Sequence, residues 1–294
     1  MAEDFTFQYN NGVILNAEFA PGLPFVDIQK VSGLDHPEFR VTDRSREGGD
    51  GGFMDTGFVD MRTVVLEGII YGDEDYLDTL RQNWRPYREG RDGTGGSAPF
   101  VFKAPGIADR VLFGRSLGMK YDWGEVRRVG KTEVQFQLRC EDPSFYSFVE
   151  HSGQLGLTIL TQTGYGYNRA YNRTYGGGTS GGGSGNFLNA GNKETFPNLV
   201  IQGPATNPKL TNDTFDTVST AYLKFNATLS STDTLTISTK NRTVILNGTA
   251  NRRLWLDPLS RWWSLLPGSN YVRFTADAYD ASALLTVTWR DAYE

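Results

Sequence analysis

Residues 260–274, SRWWSLLPGSNYVRF, join two adjacent tryptophans to a Leu-Leu-Pro-Gly turn and then to a strand-like run. Pro267 and Gly268 suit the central positions of a type II turn, because the second of these positions needs a positive φ. In an extended segment, neighbouring side chains point to opposite faces. We therefore predict that one of the rings of Trp262 and Trp263 fills a β core and that the other is partly exposed.

Short strand-like runs surround this segment throughout the second half of the chain. Examples are AYLKFNATL, DTLTIST and NRTVILNG, which are rich in β-branched and aromatic residues. Asn, Asp, Gly and Pro separate the runs at intervals of roughly 8 to 12 residues, a spacing typical of antiparallel β-sandwiches. No helical periodicity is evident there, so we predict an all-β second domain.

Longer strand-like runs occur in the first half of the chain. They are RTVVLEGIIY (62–71), VLFGRSLGMKYDW (111–123) and KTEVQFQLRC (131–140). Apolar residues alternate with polar ones most clearly in the third run, which is the pattern of a half-buried strand. The fold class that we predict is therefore mainly β.

One helix is predicted between the first two of these runs, in the stretch GDEDYLDTLRQNWRPYREG (72–90). Tyr76, Leu77, Leu80 and Trp84 lie at helical spacing on one stripe. Acidic residues at the start and arginines near the end suit the helix dipole, and a proline follows. We predict one α-helix near 73–85, packed on the sheet of the first domain.

The length of 294 residues indicates two domains, since domains usually contain about 100 to 200 residues. We place the first at 1–150 and the second at 151–294. Tyr, Gly, Asn and Ser are interleaved over 161–192, around the run GGGTSGGGSG. This composition predicts a flexible segment near 161–192 that precedes or interrupts the second domain.

The charge of the chain is acidic and unevenly distributed. The net charge is −5, and the pI is near 5.2. Residues 1–150 contain 17 Lys and Arg against 25 Asp and Glu, a net charge of −8. This balance argues against a protein that binds nucleic acid through its phosphates, because such binding needs a basic surface.

Cys140 is the only cysteine, so neither an intrachain disulfide nor a Cys-rich zinc site can form. The first residues, MAEDFTFQYNNGV, are acidic where a secretory signal would be basic. No apolar run approaches the roughly 20 residues that a membrane helix needs. We expect a protein that is made in a reducing cytoplasm and does not insert into a membrane.

No catalytic constellation is recognisable in the sequence. His36 and His151 are the only histidines, and no Gly-x-Ser-x-Gly nucleophile motif accompanies them. Asp43, Asp50 and Asp55 lack the spacing of a calcium-binding loop, and the Gly-rich runs lack the phosphate-binding pattern. We predict that the protein is not an enzyme and has no catalytic, cofactor or metal site.

The charged, Gly-rich stretch DRSREGGDGGFMDTGF (43–58) has no periodicity and links two strand-like segments. A long hairpin or loop is the structure that this pattern predicts. Loops of this length in a compact domain usually contact partners or carry function.

Tyr167 and Tyr171 are candidate exposed aromatic contacts, as are Trp262 and Trp263. Tyr combined with Gly, Ser and Asn is the composition of adaptable protein-binding loops. The same tyrosines could stack on sugars or bases, but stacking on nucleic acid would need a basic groove beside them. We favour a protein contact for the tyrosines and a packing role for the tryptophan pair over a sugar platform.

Three motifs in the second half occur in a fixed order: N-x-G-N…P…I-x-G from Asn189 to Gly203, T-V-x-L-N-G (243–248) and W-x-x-L-x-P-G-x-N (262–270). In this order, and after a helix-containing β domain, the sequence resembles the distal tail protein (Dit) family of long, non-contractile-tailed bacteriophages. The resemblance covers most of the chain. It implies a first domain that forms a homohexameric ring continuing the tail tube and a second domain that is an outward-facing, galectin-like β-sandwich.

The resemblance also implies a location at the distal end of the virion tail. Its implied partners are the tail tube protein, the tape measure protein and the tail-tip hub or receptor-binding proteins. DNA would pass through the lumen without specific binding, which suits the acidic first half because like charge repels phosphate. A ring subunit needs hairpins and strand edges that pair with its neighbours. The candidate subunit contacts are therefore Arg44, Arg46, Phe53, Met54 and Phe58.

A structural tail-tip protein is the leading hypothesis for function. The alternative is a carbohydrate-binding module that anchors the virion to host-wall polysaccharide through exposed aromatic residues, since a fold alone does not fix a function. A wall-degrading enzyme would need a nucleophile or an acid/base pair of carboxylates, and we recognise neither.

Overall fold

A computed structural model of the chain describes residues 5–16, 22–54, 57–86, 97–104, 106–157, 183–215, 221–278, 280 and 282–294. The chain divides into two compact units. The first contains Met1–Phe148 together with Tyr293–Glu294, and the second contains Val149–Ala292.

The first unit is built on antiparallel strands, and its described residues form two helices. Its elements are β1 (Thr6–Tyr9), β2 (Ile14–Leu15), β3 (Phe25–Ser32), β4 (Phe39–Arg40), β5 (Arg44–Ser45), β6 (Gly52–Phe53), β7 (Phe58–Val59), β8 (Arg62–Tyr71), α1 (Glu74–Asn83), β9 (Ala98–Ala104), β10 (Ile107–Tyr121), α2 (Trp123–Val129), β11 (Lys131–Cys140) and β12 (Phe145–Ser147). The main sheet runs in the order β2-β1-β9-β10-β11-β8-β3.

Helix α1 covers one face of this sheet, and the helix predicted near 73–85 is confirmed. The Asp73 side chain caps it by accepting a 3.0 Å hydrogen bond from the Tyr76 backbone N–H. Leu77, Leu80 and Trp84 are buried in the core of the first unit. The sequence periodicity identified these residues because the helix has a single apolar stripe facing the sheet.

Helix α2 was not predicted, because residues 111–123 read as one continuous strand. Strand β10 ends at Tyr121, and the Asp122 side chain accepts a 2.8 Å hydrogen bond from the Gly124 backbone N–H as the helix begins. Trp123 and Val129 are exposed. A short helix with exposed apolar ends gives no periodic signal in the sequence.

The second unit is an antiparallel β-sandwich. Its elements are β13 (His151–Gly156), β14 (Ser184–Asn189), β15 (Asn198–Gln202), β16 (Ala205–Thr206), β17 (Lys209–Asn212), β18 (Ala221–Lys224), β19 (Thr228–Leu229), β20 (Thr234–Ser238), β21 (Thr243–Leu246), β22 (Ala250–Asn251), a 3-10 helix (Arg253–Trp255), β23 (Gly268–Thr275) and β24 (Leu284–Trp289), with β25 (Ala292–Tyr293) at the end of the chain.

Two sheets of this unit share one core. The six-stranded sheet has the order β13-β24-β15-β20-β21-β22, and the four-stranded sheet has the order β14-β23-β17-β18. Alternate residues of both sheets are buried together, among them Leu199, Ile237 and Val287 from the first sheet and Leu210 and Phe274 from the second. The predicted mainly β fold class is confirmed.

The flexible segment predicted near 161–192 includes residues that form a strand. Residues 184–189 form β14, and Phe187 of this strand is buried in the sandwich core. Apolar Phe187 and Leu188 lie just after the glycine run, so the composition of the whole stretch masked a strand at its end. Residues 158–182 lie outside the described part of the chain.

The tryptophan pair divides as predicted, but Trp263 is not an exposed contact, and naming it as one was wrong. Its side chain is 1% exposed inside the sandwich core, whereas Trp262 is partly buried against that core. Neither residue lies on a strand; the extended segment 261–264 precedes Leu265, which bridges to Thr195. Burial of the large indole of Trp263 stabilises the fold because it removes a large apolar surface from water.

Candidate functional site

The predicted hairpin at 43–58 belongs to a longer two-stranded arm, which we define as residues 39–59. Strand β4 pairs with β7 through Phe39 and Val59, and β5 pairs with β6 through Arg44 and Phe53. Near the tip, the Arg46 backbone N–H donates a 3.1 Å hydrogen bond to the Gly51 carbonyl. The described residues of the arm are 39–54 and 57–59, so Asp55 lies outside them.

The arm exposes large apolar side chains that its own unit does not cover. Met54 is 90% exposed, and Phe39, Val41, Phe53 and Phe58 are each more than half exposed. Since burying such side chains would be favourable, a cluster of this kind marks a surface that is covered in an assembly.

Arginines accompany the apolar residues along the arm. Arg40, Arg44 and Arg46 are exposed, and the Arg46 guanidinium lies 5.0 Å from the centre of the Phe53 ring. Aromatic residues, Met and Arg are the residue types enriched in protein–protein interfaces. The composition of the arm is therefore that of a protein-binding surface.

Arg62 fixes the base of the arm. Its guanidinium donates hydrogen bonds to the carbonyls of Gly33 (2.8 Å), Pro143 (2.9 Å) and Asp35, and lies 4.5 Å from the centre of the Phe145 ring. The residue is only 3% exposed, and burial lowers the pKa of its guanidinium. Arg62 thus ties the segment before the arm to a distant turn.

The five predicted subunit contacts all lie on this arm and are all exposed: Arg44, Arg46, Phe53, Met54 and Phe58. Phe39 and Val41 belong to the same surface, and the prediction omitted them. Apolar Phe39 and Val41 alternate with polar residues just before the Gly-rich stretch begins at Asp43. This alternation is the signal that would have extended the hairpin toward residue 39.

The predicted aromatic contacts do not come together on one surface. Trp262 is partly buried and Trp263 is buried, while Tyr167 and Tyr171 lie outside the described residues. Trp262 packs against the same core that contains Trp263. The tryptophan pair is therefore part of the sandwich structure and does not form a sugar-stacking platform.

The two histidines differ in their surroundings. His36 is exposed, and His151 Nε2 lies 3.1 Å from Asp291 Oδ2. The other carboxylate oxygen of Asp291 accepts a hydrogen bond from the Ala190 backbone N–H. This arrangement connects strand β13 and the residue after β14 to the segment between β24 and β25.

Cys140 is a buried thiol in the core of the first unit. Burial raises its pKa to about 12, which leaves the thiol protonated and unreactive as a nucleophile. In the part of the chain that the structure describes, no group of three or more His, Cys, Asp or Glu side chains could hold a metal ion. Across the same residues, no helix is long and apolar enough to cross a membrane.

The first sequence motif forms a corner of the sandwich. The fully buried Asn189 side chain donates hydrogen bonds to the carbonyls of Lys193 (2.7 Å) and Leu265 (3.2 Å) and accepts one from the Gly191 backbone N–H. A Cβ on Gly191 would lie 1.8 Å from the Ala292 carbonyl oxygen. Only glycine allows this close approach of two backbones.

The other two motifs close turns. Asn247 and Gly248 both have positive φ between β21 and β22, as a tight Asn-Gly hairpin requires. The Asn247 side chain donates a 3.0 Å hydrogen bond to Asp233, and this bond, followed by two from Ser230, lowers the pKa of Asp233. The motif residues are therefore structural.

The Leu-Leu-Pro-Gly turn is closed by the last residue of the third motif. The buried Asn270 side chain accepts a 2.9 Å hydrogen bond from the Leu266 backbone N–H and donates to the carbonyls of Leu266 (2.7 Å) and Gly268 (3.0 Å). Gly268 has a φ of 92°, as predicted for this turn.

These features together define a class of protein. The chain is mainly β, its motifs stabilise turns, and its first unit carries an exposed apolar arm with the composition of a protein interface. That combination describes a structural component of an assembly.

Comparison with known proteins gives a family match over part of the chain. Residues 190–293 match the family model for the C-terminal domain of siphovirus-type tail components. This match confirms the predicted resemblance to the distal tail protein family. No curated protein matches the sequence.

Solved structures share the fold over nearly the whole chain. The crystal structure of phage SPP1 Dit, titled a paradigm of the hub adsorption apparatus in Gram-positive infecting phages, is similar with a TM-score of 0.63 at 18% identity, covering 99% of this chain and 100% of that chain. Chains of the phage P2 baseplate in its activated conformation are similar at 12% identity with Ca and 11% identity with Sr. Their TM-scores are 0.50 and 0.51, and 97% of both chains is covered in each case.

Proposed function

We propose that this protein is a structural, non-enzymatic component of the phage tail tip that forms a homohexameric ring between the tail tube and the adsorption apparatus. In this proposal residues 1–150 form the ring, and residues 151–294 form the outer sandwich. The protein lies at the distal end of the tail in the virion. Its partners are the tail tube protein, the tape measure protein and the hub or receptor-binding proteins.

The observation that carries the proposal is the exposed arm. Phe53 and Phe58 lie on paired strands and Met54 follows the first of these strands, yet all three side chains remain exposed in the isolated chain. A neighbouring copy that covers the arm would bury them. Closed rings arise when each subunit presents one surface to the next by the same rotation.

The net charge of the first 150 residues, −8, supports a passage for DNA. Carboxylates around a lumen would repel phosphate, so DNA would pass without adhering. The acidic net charge of this half is consistent with a tube subunit and argues against a protein that binds DNA through its phosphates.

The proposal is tested by negative-stain electron microscopy and mass photometry of the purified full-length protein. We expect six-fold rings with a central hole. A protein that stays monomeric at high concentration would contradict the proposal.

A variant series tests the role of the arm. The triple substitution Phe53→Ser, Met54→Ser and Phe58→Ser should abolish rings, while the thermal midpoint stays unchanged under conditions that keep both proteins monomeric. Leu254→Ser is the matched control, because Leu254 is fully exposed but lies on the 3-10 helix of the second unit. Rings that persist in the triple variant would remove the arm from the subunit interface.

A further inference from the structure

The outward strand positions of the six-stranded sheet in the second unit carry no charged side chain. The register of its strands places the outward side chains in three cross-strand rows. The first row contains Ser152, Thr288, Asn198, Ser238 and Thr243; the second contains Gln154, Thr286, Val200, Thr236, Ile245 and Asn251; the third contains Gly156, Leu284, Gln202 and Thr234. None of these described positions carries a charged side chain, and we call this surface the uncharged face.

The opposite surface of the same sandwich is different. The outward positions of the four-stranded sheet include Lys209, Lys224 and Arg273. The Arg273 guanidinium pairs with both carboxylate oxygens of Asp213, at 2.7 and 2.8 Å. The lack of charge therefore belongs to one sheet and does not reflect the composition of the unit.

Removing water from an uncharged polar surface costs less free energy than removing it from a charged one. Removing a charged group from water is far more costly than removing a hydroxyl or an amide that regains a hydrogen bond. Charged side chains normally cover exposed sheets and keep them soluble. A sheet that lacks them over six strands is suited to contact with a partner that is itself uncharged.

We propose that the uncharged face binds a neutral polysaccharide. Ser and Thr hydroxyls and Asn and Gln amides each donate and accept hydrogen bonds, as sugar hydroxyls do. Adjacent strands lie about 4.8 Å apart, so each row repeats such groups at a spacing similar to the width of a sugar ring. Val200, Ile245 and Leu284 provide apolar contacts for the C–H faces of the sugar rings.

A protein partner fits this face less well than it fits the arm. Interface cores are enriched in aromatic residues, Met and Arg, which occur on the arm and do not occur among the outward positions of the six-stranded sheet as described. An anionic polymer also fits poorly, because the rows contain no cation to pair with it. The two surfaces therefore differ in the chemistry of the partner that each can bind.

The test uses the full-length protein and immobilised polymers. Dextran, mannan and galactan are the neutral probes, and polygalacturonate is the anionic probe. We expect retention on at least one neutral polymer and weaker retention on polygalacturonate. Failure to bind any of the three neutral polymers, or preferential binding to polygalacturonate, would overturn the proposal.

Substitutions that add charge without changing side-chain shape test whether the uncharged face is the binding site. Asn198→Asp combined with Gln202→Glu adds two carboxylates to the face without changing its shape and should weaken binding about tenfold, because the charges lose water without a partner. The control is Asn186→Asp, an exposed amide on the outward side of the four-stranded sheet, which should leave binding unchanged. The proposal would also be overturned if the double variant and the Asn186→Asp control lost polysaccharide binding equally, or if the double variant lost none.

Circular dichroism and the thermal midpoint verify that each variant is folded. Thr236→Lys provides a second variant at the centre of the face, with Thr236→Ser as the conservative control that retains the hydroxyl. Ring formation is scored separately on the same samples. A failure of glycan binding is thereby distinguished from a failure of the proposed assembly.

Discussion

The arm of the first unit and the Trp263 segment of the second both display large apolar side chains, but their environments are opposite. Phe53 and Phe58 are exposed on strands of two residues each, and Met54 is exposed beside the first of them, whereas Trp263 is enclosed by two sheets. Similar side chains therefore serve an interface in one region and a core in the other. What differs is whether a second layer of the same chain covers them.

The strongest disruption is expected at Trp263. Trp263→Ala should lower the free energy of unfolding of the second unit by about 3 to 5 kcal/mol, because a large cavity would remain in the core. Denaturant unfolding followed by circular dichroism measures the loss. Trp263→Phe should cost less, since the indole N–H makes no hydrogen bond within the described residues. A loss below about 1 kcal/mol for the alanine variant would contradict the assignment of Trp263 to the core.

A smaller but substantial loss is expected at the base of the arm. Arg62→Leu should destabilise the first unit by about 2 to 3 kcal/mol, because three backbone carbonyls would lose a charged donor. Arg62→Lys keeps the charge but cannot reproduce the fork of the guanidinium, so we expect an intermediate loss. Hydrogen exchange of the amides near Gly33 and Asp35 measures the local effect. Unchanged exchange in both variants would mean that Arg62 does not hold the base.

A pH-dependent effect is expected at the Asn247 turn. The lowered pKa of Asp233 means that its ionised form favours the folded state; this contribution is present near pH 7 and is lost as pH falls through the lowered value. Asn247→Ala should lower the thermal midpoint near pH 7 by less than Arg62→Leu does. The difference in thermal midpoint between the variant and the original protein should narrow as pH falls through the lowered pKa of Asp233, because the carboxyl then becomes protonated in both proteins. If the decrease in thermal midpoint caused by Asn247→Ala does not vary with pH, the positive φ at residue 247 would be its only cause.

The smallest effect on stability is expected on the arm itself. Met54→Ser should change the free energy of unfolding by no more than about 0.5 kcal/mol, because the side chain is already in water. Thermal unfolding under conditions that keep the protein monomeric provides the measurement. A loss as large as that at Trp263 would show that the arm folds back on its own unit and would remove the contrast between the two regions.

Sequence reasoning predicted helix α1, the turn at Gly268 and the hairpin that contains Phe53, since each depends on a local pattern. It missed helix α2 and strand β14, whose local sequences resemble those of their neighbours. It also included Trp263 among exposed contacts, although the same pattern predicted that one of the pair is buried. Adjacent residues of like type cannot be told apart until a second layer is placed against one of them.

The sequence by itself determined the mainly β class, the turns and the residue types available for contacts, because these follow from short-range sterics and periodicity. Only the tertiary structure decided which tryptophan is buried, that Arg62 joins residues separated by most of the first unit, and that polar residues from six strands form one uncharged face. Those outcomes depend on strand order and register. Both are set by the burial of whole sheets, which no short stretch of sequence specifies.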